Sequence, residues 1–103
     1  MASDIKQVSG SFTGTGAGKQ IPYANGIVSV YIAGTFTGTV QLQAQANQNA
    51  QGFAPVIPFG QTSPNITAPG LYLFPRFAGD FAFQLGCTAF TSGPIQYTLA
   101  VSP

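Results

Sequence analysis

The chain has 103 residues, a formal net charge of +1 and a charged content of 5%, against about a quarter in ordinary soluble domains. Its length suits one domain, and a hydrophobic content of 45% supplies a core without a metal or disulfide staple. Three basic residues spread along the chain cannot neutralise a run of phosphates, which excludes the usual footprint of a nucleic-acid binder.

The scarcity of charge leaves solubility to Gln, Asn, Ser and Thr, which give no long-range repulsion. Two readings follow: much of the surface is covered in an assembly, or the protein tolerates a neutral polar exterior. The first residues carry no apolar signal segment, and no stretch approaches the roughly 20 apolar residues that cross a membrane as a helix. Synthesis in a cytosol, with no membrane partner, is therefore the expectation.

In chain order, residues 1–19 read as a flexible N-terminal arm. The stretch 9–19 contains Gly10, Gly14, Gly16 and Gly18, and glycine at that density suits a mobile connection. Residues 20–103 read as a single domain. Within it, Val28, Val30 and Ile32 form one apolar row with Tyr31 pointing the other way. Val40, Leu42, Ala44 and Ala46 form a second row, backed by Thr39, Gln41, Gln43 and Gln45. Phe81, Phe83, Leu85, Cys87 and Ala89 form a third, expected at the centre of the core. Ile95, Tyr97, Leu99 and Val101 form the last. Alternation with period two, interrupted by turn residues, marks strands, and no segment has helical spacing.

Turns are expected at Asn25-Gly26, at residues 34–38, at Gly79-Asp80 and at residues 91–94, with Pro69-Gly70 opening a strand over residues 71–77. Tight antiparallel neighbours of this kind predict a meander closed into an antiparallel β-sandwich, Greek-key or jelly-roll-like, of about seven or eight strands. A long polar excursion over residues 45–69 is an expected partner-held or functional loop. The triplet Phe-Thr-Gly at residues 12–14 and 36–38, echoed by Phe90-Thr91-Ser92-Gly93, reads as strand ends and turns, because its spacing is unequal.

Chemistry has little to stand on. There is no His and no Glu, so general acid–base work has no group titrating near neutrality. A carboxylate pair would have to be Asp4 and Asp80, one near the chain start and one in an expected turn. Ser and Cys nucleophiles lack an adjacent base, and metal ligands are too few. Gly14-Thr15-Gly16-Ala17-Gly18-Lys19 lacks the spacing and the following helix of a phosphate loop. Cys87, alone in an apolar run, is expected to be a buried, unreactive thiol. The chain is thus expected to be no enzyme and to need no cofactor or metal.

Contact with other protein is the expected activity. Phe12 on the arm, and Phe53, Phe59, Tyr72 and Phe74 as exposed aromatics, are the candidate contact residues; the last four could instead form a sugar-binding shelf. Arg76 either pairs locally with Asp80 or reaches across an interface.

Residues 30–43 (Val-Tyr-Ile-Ala-Gly-Thr-Phe-Thr-Gly-Thr-Val-Gln-Leu-Gln), the run Pro-Gly-Leu-Tyr-Leu-Phe-Pro-Arg-Phe at 69–77 and the run Thr-Ser-Gly-Pro-Ile-Gln-Tyr-Thr-Leu at 91–99 resemble segments of small β-sandwich structural proteins of tailed bacteriophages. The matching pieces lie between about residue 27 and the end, and Phe53 stands where those proteins often carry a Trp. The resemblance implies a virion component made in the host cytoplasm. The first expectation is a capsid decoration (cement) protein that holds major capsid subunits together, as a dimer or trimer, through an N-terminal arm and loops. A head–tail or tail accessory protein and a carbohydrate-binding, host-recognising module are the alternatives.

Overall fold

A computed structural model describes residues 5–46 and 52–103, and every regular element in them is a strand. The seven strands are β1 (Lys6–Phe12), β2 (Gly16–Ala33), β3 (Thr37–Ala46), β4 (Ala54–Val56), β5 (Gly70–Leu73), β6 (Phe77–Ser92) and β7 (Ile95–Ser102). All pairings are antiparallel, in the order β1-β7-β2-β6-β3-β4, with β5 also on β2. The all-β, antiparallel class expected from the alternation is the observed one.

The path folds into two layers because β2 belongs to both. Its first part, Gly16 to Gly26, pairs with β6, and its second part, Ile27 to Ala33, pairs with β7 and β5. The first layer is therefore β1, β7, the second part of β2, and β5. The second layer is the first part of β2, then β6, β3 and β4. Alternate residues of each layer point at the other. Val28, Val30, Ile32, Ile95, Leu99 and Val101 from the first meet Val40, Leu42, Phe83 and Leu85 from the second in one buried cluster. Each such side chain contributes on the order of 1.5–3 kcal/mol by leaving water. The four apolar rows read from the sequence all face this core, although Ala89, at the end of the third, is exposed.

The turns were another matter. Asn25-Gly26 makes no hairpin: β2 runs straight through it, with a register irregularity between Ala24 and Gly26. Gly26 has φ 122°, and a Cβ there would collide with the Ser102 carbonyl oxygen. The positive φ that suits a hairpin here lets one long strand kink from layer to layer. Gly79-Asp80 lies inside β6 rather than before it, and β5 pairs with β2, not β6. The links β2–β3 and β6–β7 are short, but each joins strands of opposite layers. The expected meander is thus replaced by arches between layers. Turn residues tell the chain to reverse; they do not say whether the returning strand pairs with the last one or faces it.

The expected arm also changes. Lys6–Phe12 is a strand, paired with β7 from Lys6↔Val101 to Phe12↔Ile95, and Gly16 already opens β2. Its glycines serve packing rather than motion. A Cβ on Gly10 or Gly18 would lie 2.8 and 2.6 Å from the Tyr97 hydroxyl. Tyr97 fills the space between β1 and the start of β2, stacks on Phe12 with centroids 5.0 Å apart, and accepts a hydrogen bond of 2.9 Å from the Lys19 amide. The Cα radius of gyration is 12.9 Å, close to the ~13 Å of a compact 100-residue domain. Residues 1–4 of the expected arm, with Asp4, and 47–51 of the long excursion lie outside the described residues.

The rest of that excursion is held by its own chain. β4 pairs with β3, and Val40 and Ile66 exchange two backbone hydrogen bonds of 2.9 and 2.8 Å, which seats Ile66 in the core. Gln41 Nε2 donates to Asn65 Oδ1 at 2.8 Å beside that bridge.

Candidate functional site

Of the six residues expected to touch a partner, the structure buries two. Phe12 is covered by Tyr97, and Phe74 is fully enclosed, with its amide donating to the Val28 carbonyl at 3.1 Å. Tyr72 and Phe53 are half-buried. The Tyr72 hydroxyl donates to the Ala68 carbonyl at 2.7 Å, which directs it at its own chain. Phe59 is exposed and its amide donates to the Leu73 carbonyl, so it lies beside β5. The shelf of four exposed aromatics therefore does not form. Arg76 is exposed, but neither it nor Asp80 has an ion pair or side-chain hydrogen bond among the described residues, so the expected local pair is not made.

The reversal within β5 has a simple cause. Residues 71–74 are apolar at every position, and a one-residue slip exchanges the two faces of a strand. Register on β2 decides it: Val30 pairs with Tyr72 and Tyr31 with Leu71. Val30 is a core residue, so Tyr72 follows it inward, and Leu71 and Leu73 take the outer face.

That outer face is the feature the alternation did not disclose. Tyr31 is 53% exposed, Ile27 47%, Leu71 64% and Leu73 49%, with Phe59 at 64% next to Leu73. Because Phe74 donates to Val28, the Val30–Tyr72 pair is the hydrogen-bonded type and Tyr31–Leu71 the closer type between. An aromatic and a branched aliphatic side chain thus stand against each other in water, flanked by Ile27 and Leu73. The Tyr31 signal was present in the sequence as a large residue opposite the 28–30–32 row.

The outer face of the second layer carries a polar, neutral row instead. On the second layer Gln20, Gln84 and Gln43 fall in one row across three strands, and Gln84 Nε2 donates to Gln43 Oε1 at 2.8 Å. The Gln43 amide lies over Gly86, where a Cβ would meet it at 2.6 Å. No group of three or more His, Cys, Asp or Glu side chains gathers among the described residues. No helix is long and apolar enough to cross a membrane. Cys87 is buried, and loss of water raises its thiol above the ordinary value of 9.0, opposed by a backbone hydrogen bond of Ala89; Sγ itself donates to the Ala89 carbonyl at 3.3 Å. It is a core residue, as expected from its row.

No family model and no curated protein matches this chain. The fold has a solved counterpart. The crystal structure of SPBc2 prophage-derived protein YomS superimposes with a TM-score of 0.69 at 13% sequence identity, over 100% of this chain and 98% of that one. The likeness spans the whole of this chain, β1 included, and 98% of the other, so the fold as a whole has a solved counterpart. At that identity it shows the fold alone.

Proposed function

We propose that this chain is a non-enzymatic structural protein of a tailed-phage particle, most specifically a capsid decoration protein that docks on neighbouring virion subunits. The observation that carries the reading is the outer face of the first layer, where Ile27, Tyr31, Leu71 and Leu73 stand in water with no charged residue among them. A contiguous apolar patch on a small domain marks a protein-contact site. The prophage-derived protein of like fold and the resemblance of the three segments to phage structural proteins point the partner towards a virion. The docking mode differs from the arm-and-loop clamp expected at first, because β1 is a sheet strand and much of the long excursion is pinned by β3. Docking by a preformed sheet face avoids the ordering cost of a disordered arm.

The test is mass spectrometry and cryo-electron microscopy of particles made by the phage genome that encodes this chain. The expected result is a fixed copy number on the capsid exterior, reduced to background by Leu71→Asp. Particles that lack the chain altogether would overturn the proposal.

A further inference from the structure

The outer face of the first layer has two unlike halves. Over β1 and β7 the outward residues are polar or small, among them Gln7, Ser9, Gln96 and Thr98. Over β2 and β5 they are Ile27, Tyr31, Leu71 and Leu73, with the small residues Ser29 and Ala33 between and beyond them and Phe59 alongside. No outward position on either half is charged. Side chains of this size at about half exposure offer roughly 100 Å² each, or about 500 Å² together. A standard interface covers about 800 Å² per partner, and a little over half of it is apolar. The patch is the right size for the apolar centre of one such interface.

We propose that, among the virion subunits this patch could meet, its occupant is a second copy of the chain, packed face to face across a two-fold axis that passes near the Tyr31–Leu71 pair, so that particles take up the chain as a dimer. A two-fold contact must be self-complementary, and a neutral apolar face meets its own copy without like-charge contact. A different protein is usually selected by complementary charge, which this face does not offer. The sheet edges are poorer meeting places. β1 carries Lys6 and polar residues, β4 is three residues long with Pro55 at its centre, and on β5 the outward Leu73 carbonyl already accepts from Phe59. Short, charged, proline-bearing or covered edges resist strand addition. The copies therefore stack by their faces, with strands of the two outer faces crossing at about 30° as in other aligned sheet packings, and the polar half over β1 and β7 forms the rim.

This inference rests on the reading of the chain as an assembly protein, and the two fail separately. Sedimentation equilibrium of the full chain should show a dimer at micromolar concentration. Leu71→Asp and Tyr31→Asp should each weaken it about 30-fold or more, the loss expected at a central contact. Ser9→Asp, on the polar half, should leave it unchanged. Both central positions are solvent-exposed in the monomer, so circular dichroism should stay near wild type, and Tm should match that of wild type diluted to its monomer; Ile27→Asp is the substitute for a variant that does not fold. A wild-type chain that stays monomeric at about 100 µM, a trimer, or a dimer untouched by all the central substitutions would overturn the inference. A monomer that still enters particles would overturn self-association alone. A dimer absent from particles would overturn the virion assignment alone.

Discussion

The outer faces of the two layers solve the same problem in opposite ways. Each belongs to a sheet whose inner face is fully apolar, and neither can rely on charge, since the chain has almost none. The second layer covers its exterior with amides that bond one another: Gln84 to Gln43 across β6 and β3, and Gln41 to Asn65 beside them. Those side chains need no partner. The first layer does this only over β1 and β7, where Ser9 and Thr98 share a hydrogen bond of 3.1 Å, and leaves the β2–β5 half apolar. One exterior is finished by its own chain and the other is not. Low charge by itself does not call for an assembly; an uncovered half-face does.

The comparison can be broken first at β5, whose neighbours Leu73 and Phe74 have opposite fates. Phe74→Ala should cost roughly 3–5 kcal/mol in chemical denaturation, the cost of emptying a buried aromatic site, whereas Phe59→Ala on the exposed side should stay within about 0.5 kcal/mol in the monomer. Equal effects would mean that the strand faces are reversed. Next in size is the seam that locks β1 to the start of β2. Gly18→Val drives a side chain into the Tyr97 ring and should destabilise by about 1–3 kcal/mol. A flexible arm would tolerate the same change with no loss.

Smaller effects sharpen the contrast between the two exteriors. Gln84→Ala removes the Gln43 partner from a half-buried row and should cost about 0.5–1.5 kcal/mol, read from denaturant midpoints, with no change in association state. The smallest concerns Cys87. Its thiol is raised in the folded chain by burial, so the folded state keeps the proton while the unfolded chain loses it. The stability tied to that proton is complete below the ordinary thiol value and declines as pH climbs past it towards the folded value. Denaturation midpoints of wild type and Cys87→Ala should therefore converge in the alkaline range and run parallel at lower pH.

Much of the core was legible before any coordinates, because period-two alternation in the rows beginning at Val28, Val40 and Ile95 leaves only one face that can be buried. Connectivity was not legible. Asn25-Gly26 satisfies the φ requirement of a hairpin and of a kink in a continuous strand equally well, and only the proximity of Ser102 decides between them. Gly10 and Gly18 look like flexibility until Tyr97 is seen lying against both. For the candidate site, Phe59 was readable from its setting between Pro58 and Gly60. The face of residues 71–74 was not readable, since four apolar residues in succession carry no alternation. Tyr72 and Phe74 were expected outside because aromatics were favoured over leucines as contact residues, and the pairing of Val30 with Tyr72 reverses that choice.

The most direct test of the central claim is hydroxyl-radical footprinting of the assembled protein beside its Leu71→Asp variant. Tyr31, Leu73 and Phe59 are predicted to be protected in the assembled form and reactive in the variant, while Ile57, exposed just after β4 of the second layer, reacts alike in both. Full reactivity of Tyr31 and Leu73 in the assembled protein would contradict the assignment of this face as the contact surface.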